Sequence, residues 1–155
     1  MGSYTPKNAI DLCIKWEGFY KLGYENRAFP YLCPAGVWTI GYGTTRFSNG
    51  TRVTKDTLPI TRDEAEGFLL SDLERAVAQT LTISPTLISY EEKLGAISSF
   101  VYNLGASRYK ASTLRSKVNS DDWVSAKQEI KKWVWGGGRR LPGLILRRND
   151  EATYL

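Results

Sequence analysis

Residues 16–45 read WEGFYKLGYENRAFPYLCPAGVWTIGYGTT, and this stretch decides how the chain of 155 residues is organised. Its start, Trp16-Glu17-Gly18, has the form of a helix end. Gly18 stands where a left-handed C-cap residue stands. Gly, Tyr and charged residues fill 18–26 and read as loop. Pro34-Ala35-Gly36 is turn-like, and Val37-Trp38-Thr39-Ile40 is β-branched and aromatic, as strands are. Gly41 and Gly43 flank Tyr42 and imply a close approach of backbone or a bulge. The stretch thus joins one carboxylic acid, Glu17, to a short β segment carrying Cys33 and Thr39.

Helical periodicity surrounds it. Upstream, Thr5-Pro6 reads as an N-cap followed by proline at the first helical position. Ile10, Cys13, Ile14 and Glu17 recur at helical spacing, so the first helix is expected over about residues 6–17. Downstream, Ser48-Asn49-Gly50 marks a hairpin turn between Arg46-Phe47 and Thr51-Arg52-Val53. Thr61 and Glu64 have the spacing of a capping box. Ala65, Phe68, Leu69, Leu73, Val77 and Leu81 then predict a long helix over about 62–81. Ser89 and Glu92 repeat the box before an apolar stripe of Leu94, Ile97, Phe100, Val101 and Leu104, with Gly105 as C-cap. A short helix is expected from Ser112 to Val118, and another capped by Asp121 or Asp122. Gly136-Gly137-Gly138 ends that one, and Pro142 opens the last. Trp123, Trp133 and Trp135 read as core.

The expected fold class is therefore α+β in a single domain. A small β lobe over about 18–60 is joined by a long helix to a helical lobe of about 1–17 and 61–155, with a cleft between them. A sheet of two or three short strands is too small to stand alone and needs helices to pack on.

Composition narrows the chemistry. There is no histidine and there are two cysteines. Histidine-based triads are excluded, a zinc site is implausible, and no metal or other cofactor is expected. Catalysis must run on carboxylates, hydroxyls or a thiol. No apolar run approaches the length of a membrane span, so no stable membrane insertion is expected. No secretory signal is seen before the first helix, and Met1-Gly2-Ser3 fits a native start and an expression leader alike. A net charge of +5 suits an anionic partner, but no nucleic-acid motif accompanies it, so no nucleic-acid partner is expected.

Glu17 lies in the last turn of a helix, where partial negative charge gathers, and beside Trp16, Phe19 and Tyr20. Both surroundings favour the protonated acid, as a general acid requires. On position alone, an ordinary exposed glutamate at a helix end is the favoured reading. Cys33 taken by itself reads as a small buried apolar residue.

Glu17-Gly18, then the turn, then Thr39-Ile40-Gly41-Tyr42-Gly43 resemble the phage-type lysozymes, the endolysin glycoside hydrolases of the T4-lysozyme class. Similarity continues through Ser98-Ser99-Phe100-Val101-Tyr102-Asn103-Leu104-Gly105 and ends with Trp133, Gly136 and Leu141-Pro142-Gly143-Leu144 running into Arg147-Arg148. It covers nearly the whole chain. The family pattern has a catalytic Asp six residues before the strand Thr; here Cys33 stands there. The interval from Glu17 to Cys33 is also longer than usual, implying an insertion around residues 20–28.

The resemblance implies a muramidase that cuts the β-1,4 bonds of peptidoglycan and lyses a host cell. Glu17 would be the acid, with Cys33 as thiolate and Thr39 handling the water; Arg27 or the C-terminal arginines would favour the thiolate. Tyr42, Asn103, Arg147 and Arg148 would meet substrate, with Arg147 or Arg148 pairing with Glu17. Peptidoglycan is the partner, the protein a monomer, and the route cytoplasmic accumulation followed by release to the wall. A wall-binding protein with weak or no catalysis is the alternative reading, since Asp is missing. Glu25, in the inserted loop, reads as a solvated residue rather than a second catalytic carboxylate. A Cys13–Cys33 disulfide would lock the thiol, and a buried apolar Cys13 is the reading preferred here.

Overall fold

The computed structural model describes residues 4–19 and 21–155. Met1-Gly2-Ser3 and Tyr20 lie outside them. Seven α-helices and two short antiparallel ribbons follow one another among the described residues, an α+β chain. Two compact units are formed, one of Met1–Leu12 and Leu73–Leu155, the other of Cys13–Asp72. The boundaries fall inside the first and second helices.

Helix α1 (Lys7–Glu17) ends where Gly18 takes φ 70° and donates its N–H to Ile14 O at 3.3 Å. The expected apolar face is rotated. Ala9, Leu12 and Cys13 are the buried positions, while Ile10, Ile14 and Glu17 are half-buried. Pro6 also does not open the helix from inside it. Its carbonyl receives the N–H of Ala9 at 3.1 Å, and the Thr5 hydroxyl is buried without a partner, so Thr5 is no cap.

Strands β1 (Tyr31–Leu32) and β2 (Trp38–Thr39) pair antiparallel, Tyr31 opposite Thr39 and Leu32 opposite Trp38. The connection is a tight loop with Gly36 at φ 77°, its N–H donating to Cys33 O at 2.8 Å. The Ser48-Asn49-Gly50 turn is present. Arg46 bridges Arg52, and the Asn49 side chain accepts from Thr51 N at 2.9 Å. Helix α2 (Arg62–Ile83) begins with the expected capping box. Glu64 N donates to Thr61 Oγ1 at 3.1 Å, and Thr61 N to Glu64 Oε1 at 3.0 Å.

In the larger unit, helix α3 (Glu91–Leu104) is the centre, with Leu94, Ile97 and Phe100 fully buried. The second capping box is absent. Ser89 closes a 3-10 turn over Pro85–Ser89, and Tyr90 occupies the cap position without a side-chain bond. Gly105, at φ 96°, ends α3 and leads into α4 (Ala106–Lys110), a turn of helix that the sequence reading did not foresee. Helices α5 (Thr113–Asn119) and α6 (Trp123–Ile130) are capped by Ser112 and Asp122. The three glycines do not simply break α6. Gly137-Gly138 turns between β3 (Trp135–Gly136) and β4 (Arg139–Arg140), and this ribbon leaves Trp135 62% exposed, against the expectation of core. Trp123 and Trp133 are half-buried. Helix α7 (Pro142–Ala152) follows and contacts α3 and α6. Burial raises the Tyr109 phenol to about 12, although Ser84 Oγ lies 2.7 Å from its oxygen.

Two helical glycines differ in a testable way. In α3, a Cβ on Gly95 would stand 1.8 Å from Asn8 Oδ1, whose amide donates to Glu92 O at 2.8 Å. In α2, nothing lies within 4 Å of that position on Gly67. Gly67→Ala should therefore stabilise by about 0.4–1 kcal/mol through the unfolded chain, whereas Gly95→Ala should destabilise. Denaturant melts of both variants check the opposite signs.

Candidate active site

Cys33 and Thr39 are brought together by the β1–β2 turn. Cys33 closes it, its N–H donating to Val37 O at 3.0 Å. Thr39 is 3% exposed, and its hydroxyl donates to the same Val37 carbonyl at 2.9 Å while lying within hydrogen-bond reach of the Cys33 sulfur. Burial works against ionisation of this thiol. Backbone N–H groups of Val37 and Ala35, with the Thr39 hydroxyl, more than offset it, and the pKa falls below the ordinary thiol value. The cause is therefore local hydrogen bonding. Arg27, expected to assist, is engaged by Glu25 at 3.1 Å.

Glu17 is half-buried at the end of α1 in the same unit. Tyr42 is in that unit too, but only 1% exposed. It stacks on Phe19 with centroids 5.4 Å apart, and its hydroxyl accepts from Arg62 Nη1 at 3.3 Å, the Arg62 guanidinium lying 4.5 Å over Phe19. Tyr42 thus props the segment after Glu17. Arg62 was not singled out from sequence, since a lone Arg in a first helical turn carries no signal. The turn holding Tyr42 is closed by Ile40 N to Thr44 O at 2.9 Å and Thr44 N to Ile40 O at 3.0 Å. Gly41, at φ 62°, lets α2 come close, since a Cβ would meet Ala65 Cβ at 2.9 Å.

Asn103, Arg147 and Arg148 gather in the other unit, in one network. Arg147 and Arg148 are 3% and 0% exposed. Glu151 takes Arg147 Nε at 3.3 Å, a short bond from Arg148 Nη1, and the Ser99 hydroxyl at 2.6 Å. Arg148 also donates to Trp133 O at 2.9 Å and to Asn103 Oδ1, with its guanidinium 4.9 Å over Phe100. Such burial favours positioning over direct contact with substrate. Glu151 was missed in the sequence, although it stands three and four residues after the two arginines, the spacing of a helical ion pair.

Cys13 and Cys33 are not joined in a disulfide; Cys13 is fully buried on α1. Glu25 is exposed and paired with Arg27, a solvated loop residue as expected. Among the described residues no helix is long and apolar enough to cross a membrane.

The sequence profile of the phage lysozyme family matches residues 15–151, the span that holds Glu17, Cys33, Thr39, Tyr42, Asn103, Arg147, Arg148 and Glu151. The chain belongs to the phage lysozyme family. An endolysin of Acyrthosiphon pisum secondary endosymbiont phage 1 is 38% identical over 154 residues, covering 97% of this chain and 96% of that protein. A SAR-endolysin of Bacteriophage PS119 is 34% identical over 79% of this chain and 70% of its own length. Among solved structures, the endolysin from Escherichia coli O157:H7 phage FAHEc1 superposes with a TM-score of 0.78 at 27% identity, covering 99% of this chain and 92% of that one. The chain thus has the family's fold.

Proposed function

We propose that this phage lysozyme hydrolyses the β-1,4 bonds between N-acetylmuramic acid and N-acetylglucosamine in peptidoglycan and so lyses a host cell from the wall side. The observation that carries this reading is the Cys33–Thr39 pair, a thiol whose surroundings favour the thiolate beside a hydroxyl able to orient water. Glu17 gives its proton to the leaving glycosidic oxygen. The Cys33 thiolate takes a proton from water as the water oxygen bonds to the anomeric carbon, and Thr39 aligns that water. Attack by activated water, rather than by sulfur, favours inversion at the anomeric centre.

The remaining assignments follow their surroundings. Tyr42 shapes the substrate side of the smaller unit through Phe19. Asn103 contacts sugar, with Arg147 and Arg148 holding it and the end of α3 through Glu151. The enzyme works as a monomer on the wall polymer, without a nucleic-acid partner and without cofactor.

Mass analysis of muropeptides released from purified sacculi tests the reaction type. Hydrolysis gives free reducing ends carrying the mass of one added water. Anhydro products would make the protein a transglycosylase. Cysteine in place of aspartate at position 33 favours one second reading, a wall binder without catalysis, and that reading requires sacculi bound with no ends released.

A further inference from the structure

The segment 21–28 holds none of the proposed catalytic residues, yet its backbone is closely tied. Leu22 and Tyr24 are 46% and 63% exposed. The loop under them is cross-tied: Leu22 bridges Ala28, Gly23 N donates to Arg27 O at 2.9 Å, Phe29 N to Lys21 O at 3.0 Å, and Ala28 exchanges two bonds with Ile60 at 2.8 and 3.0 Å. Three non-glycine residues, Lys21, Glu25 and Asn26, hold left-handed backbone, at φ 58°, 55° and 54°. Such conformations persist only where the surroundings impose them, and they concentrate where function needs a fixed shape.

The shape presents an aromatic face. The Tyr24 ring meets Phe29 edge-on, with centroids 5.4 Å apart, which fixes it while leaving it open to solvent. Gly23 makes this possible, because a Cβ there would lie 2.2 Å from the Phe29 ring. Next in the chain come the Glu25 carboxylate, salt-bridged to Arg27 at 3.1 Å, and the exposed Asn26. A fixed aromatic face bordered by amide, carboxylate and guanidinium suits a pyranose, whose C–H face lies on the ring while hydroxyl or acetamido groups find the polar partners. The exposed carboxylate disfavours a phosphate backbone. The loop also stays near the reacting groups: four residues from Glu17 to Lys21 reach at most about 14 Å, and five from Ala28 to Cys33 about 18 Å.

We infer that the 21–28 loop is an additional glycan subsite, in which Tyr24 stacks on a sugar of the strand beyond the bond that is cut. This rests on the proposed action on peptidoglycan glycan. The probe is peptide-free glycan strands, long and short. Tyr24→Ala should raise KM for long strands about five- to tenfold, the worth of one aromatic stack, with kcat held and with a smaller rise on short strands. Tyr24→Phe should restore the wild-type KM. An unchanged KM in Tyr24→Ala, an equal rise on both lengths, or a Phe variant as impaired as Ala overturns the subsite. Titration of the Glu17→Gln protein with the same strands, followed by NMR, should shift the amides of residues 22–27. Shifts there together with a wild type that releases no reducing ends would sink the hydrolase reading and leave the subsite standing. Silent amides overturn the subsite whatever the activity.

Discussion

Glu17→Gln should lower the rate of sacculus hydrolysis by about a hundredfold to ten-thousandfold, the usual worth of a positioned general acid. The amide keeps the volume and hydrogen-bonding shape of the carboxyl but has no proton to give. Glu17 ends α1, so its backbone is set by a helix that the Gly18 cap closes. The substitution leaves that cap untouched, and the fold should be retained. The loss belongs in kcat, because the bond to the leaving oxygen forms only as the glycosidic bond breaks. Turbidity clearing of outer-membrane-stripped cells, with binding to sacculi measured in parallel, reads both. Clearing at the wild-type rate would remove Glu17 from the acid role.

The Cys33 series should show an equally large effect, with a signature that packing cannot imitate. Cys33→Ala and Cys33→Ser should each lose about a hundredfold or more in kcat, although serine fills nearly the same space. Cys33→Asp should remain active. The sign of the pH dependence follows from the ionised form being the working one. Activity rises as pH passes upward through the thiol pKa, which the turn holds below its ordinary value. An aspartate ionises near ~3.9 against ~8.5 for an unperturbed thiol, so Cys33→Asp should carry the rising limb several pH units toward acid, less the lowering already present at Cys33. Rate–pH profiles of the two enzymes check this. A coincident rising limb in both, or full activity in Cys33→Ser, would relegate Cys33 to packing.

Much of the fold was legible because its signals are local. The Thr61–Glu64 box, the Ser48-Asn49-Gly50 turn and the Gly18 and Gly105 caps each depend on a few adjacent residues, and each is present. Ser89–Glu92 has the same box spacing and fails, because spacing does not reveal that Pro85–Ser89 coils as a 3-10 turn. The β3–β4 ribbon escaped notice because two-residue strands show no alternation, and with it went the placement of Trp135.

The candidate site divides in the same way. Cys33 and Thr39 flank one short turn, but the resemblance singled them out as a pair; by itself Cys33 reads as a packing residue. Asn103 and the two arginines lie 44 or more residues apart in the chain, and what gathers them is a buried carboxylate, Glu151, whose role no single-sequence pattern declares. A buried ion network is favourable only when each member is satisfied. Ser99 and Asn103 on α3 and the Trp133 carbonyl after α6 supply those partners from two separate stretches.

The unequal burial of the two sulfurs gives the molecule a built-in label. Cys13 is sealed inside α1, whereas Cys33 is half-exposed and acidified by its turn. A mild alkylating dye in stoichiometric amount would then mark one defined atom at the proposed reaction centre. Counting that mark gives the fraction of competent molecules in a preparation, and its fluorescence reports the arrival of a polysaccharide without any engineered handle.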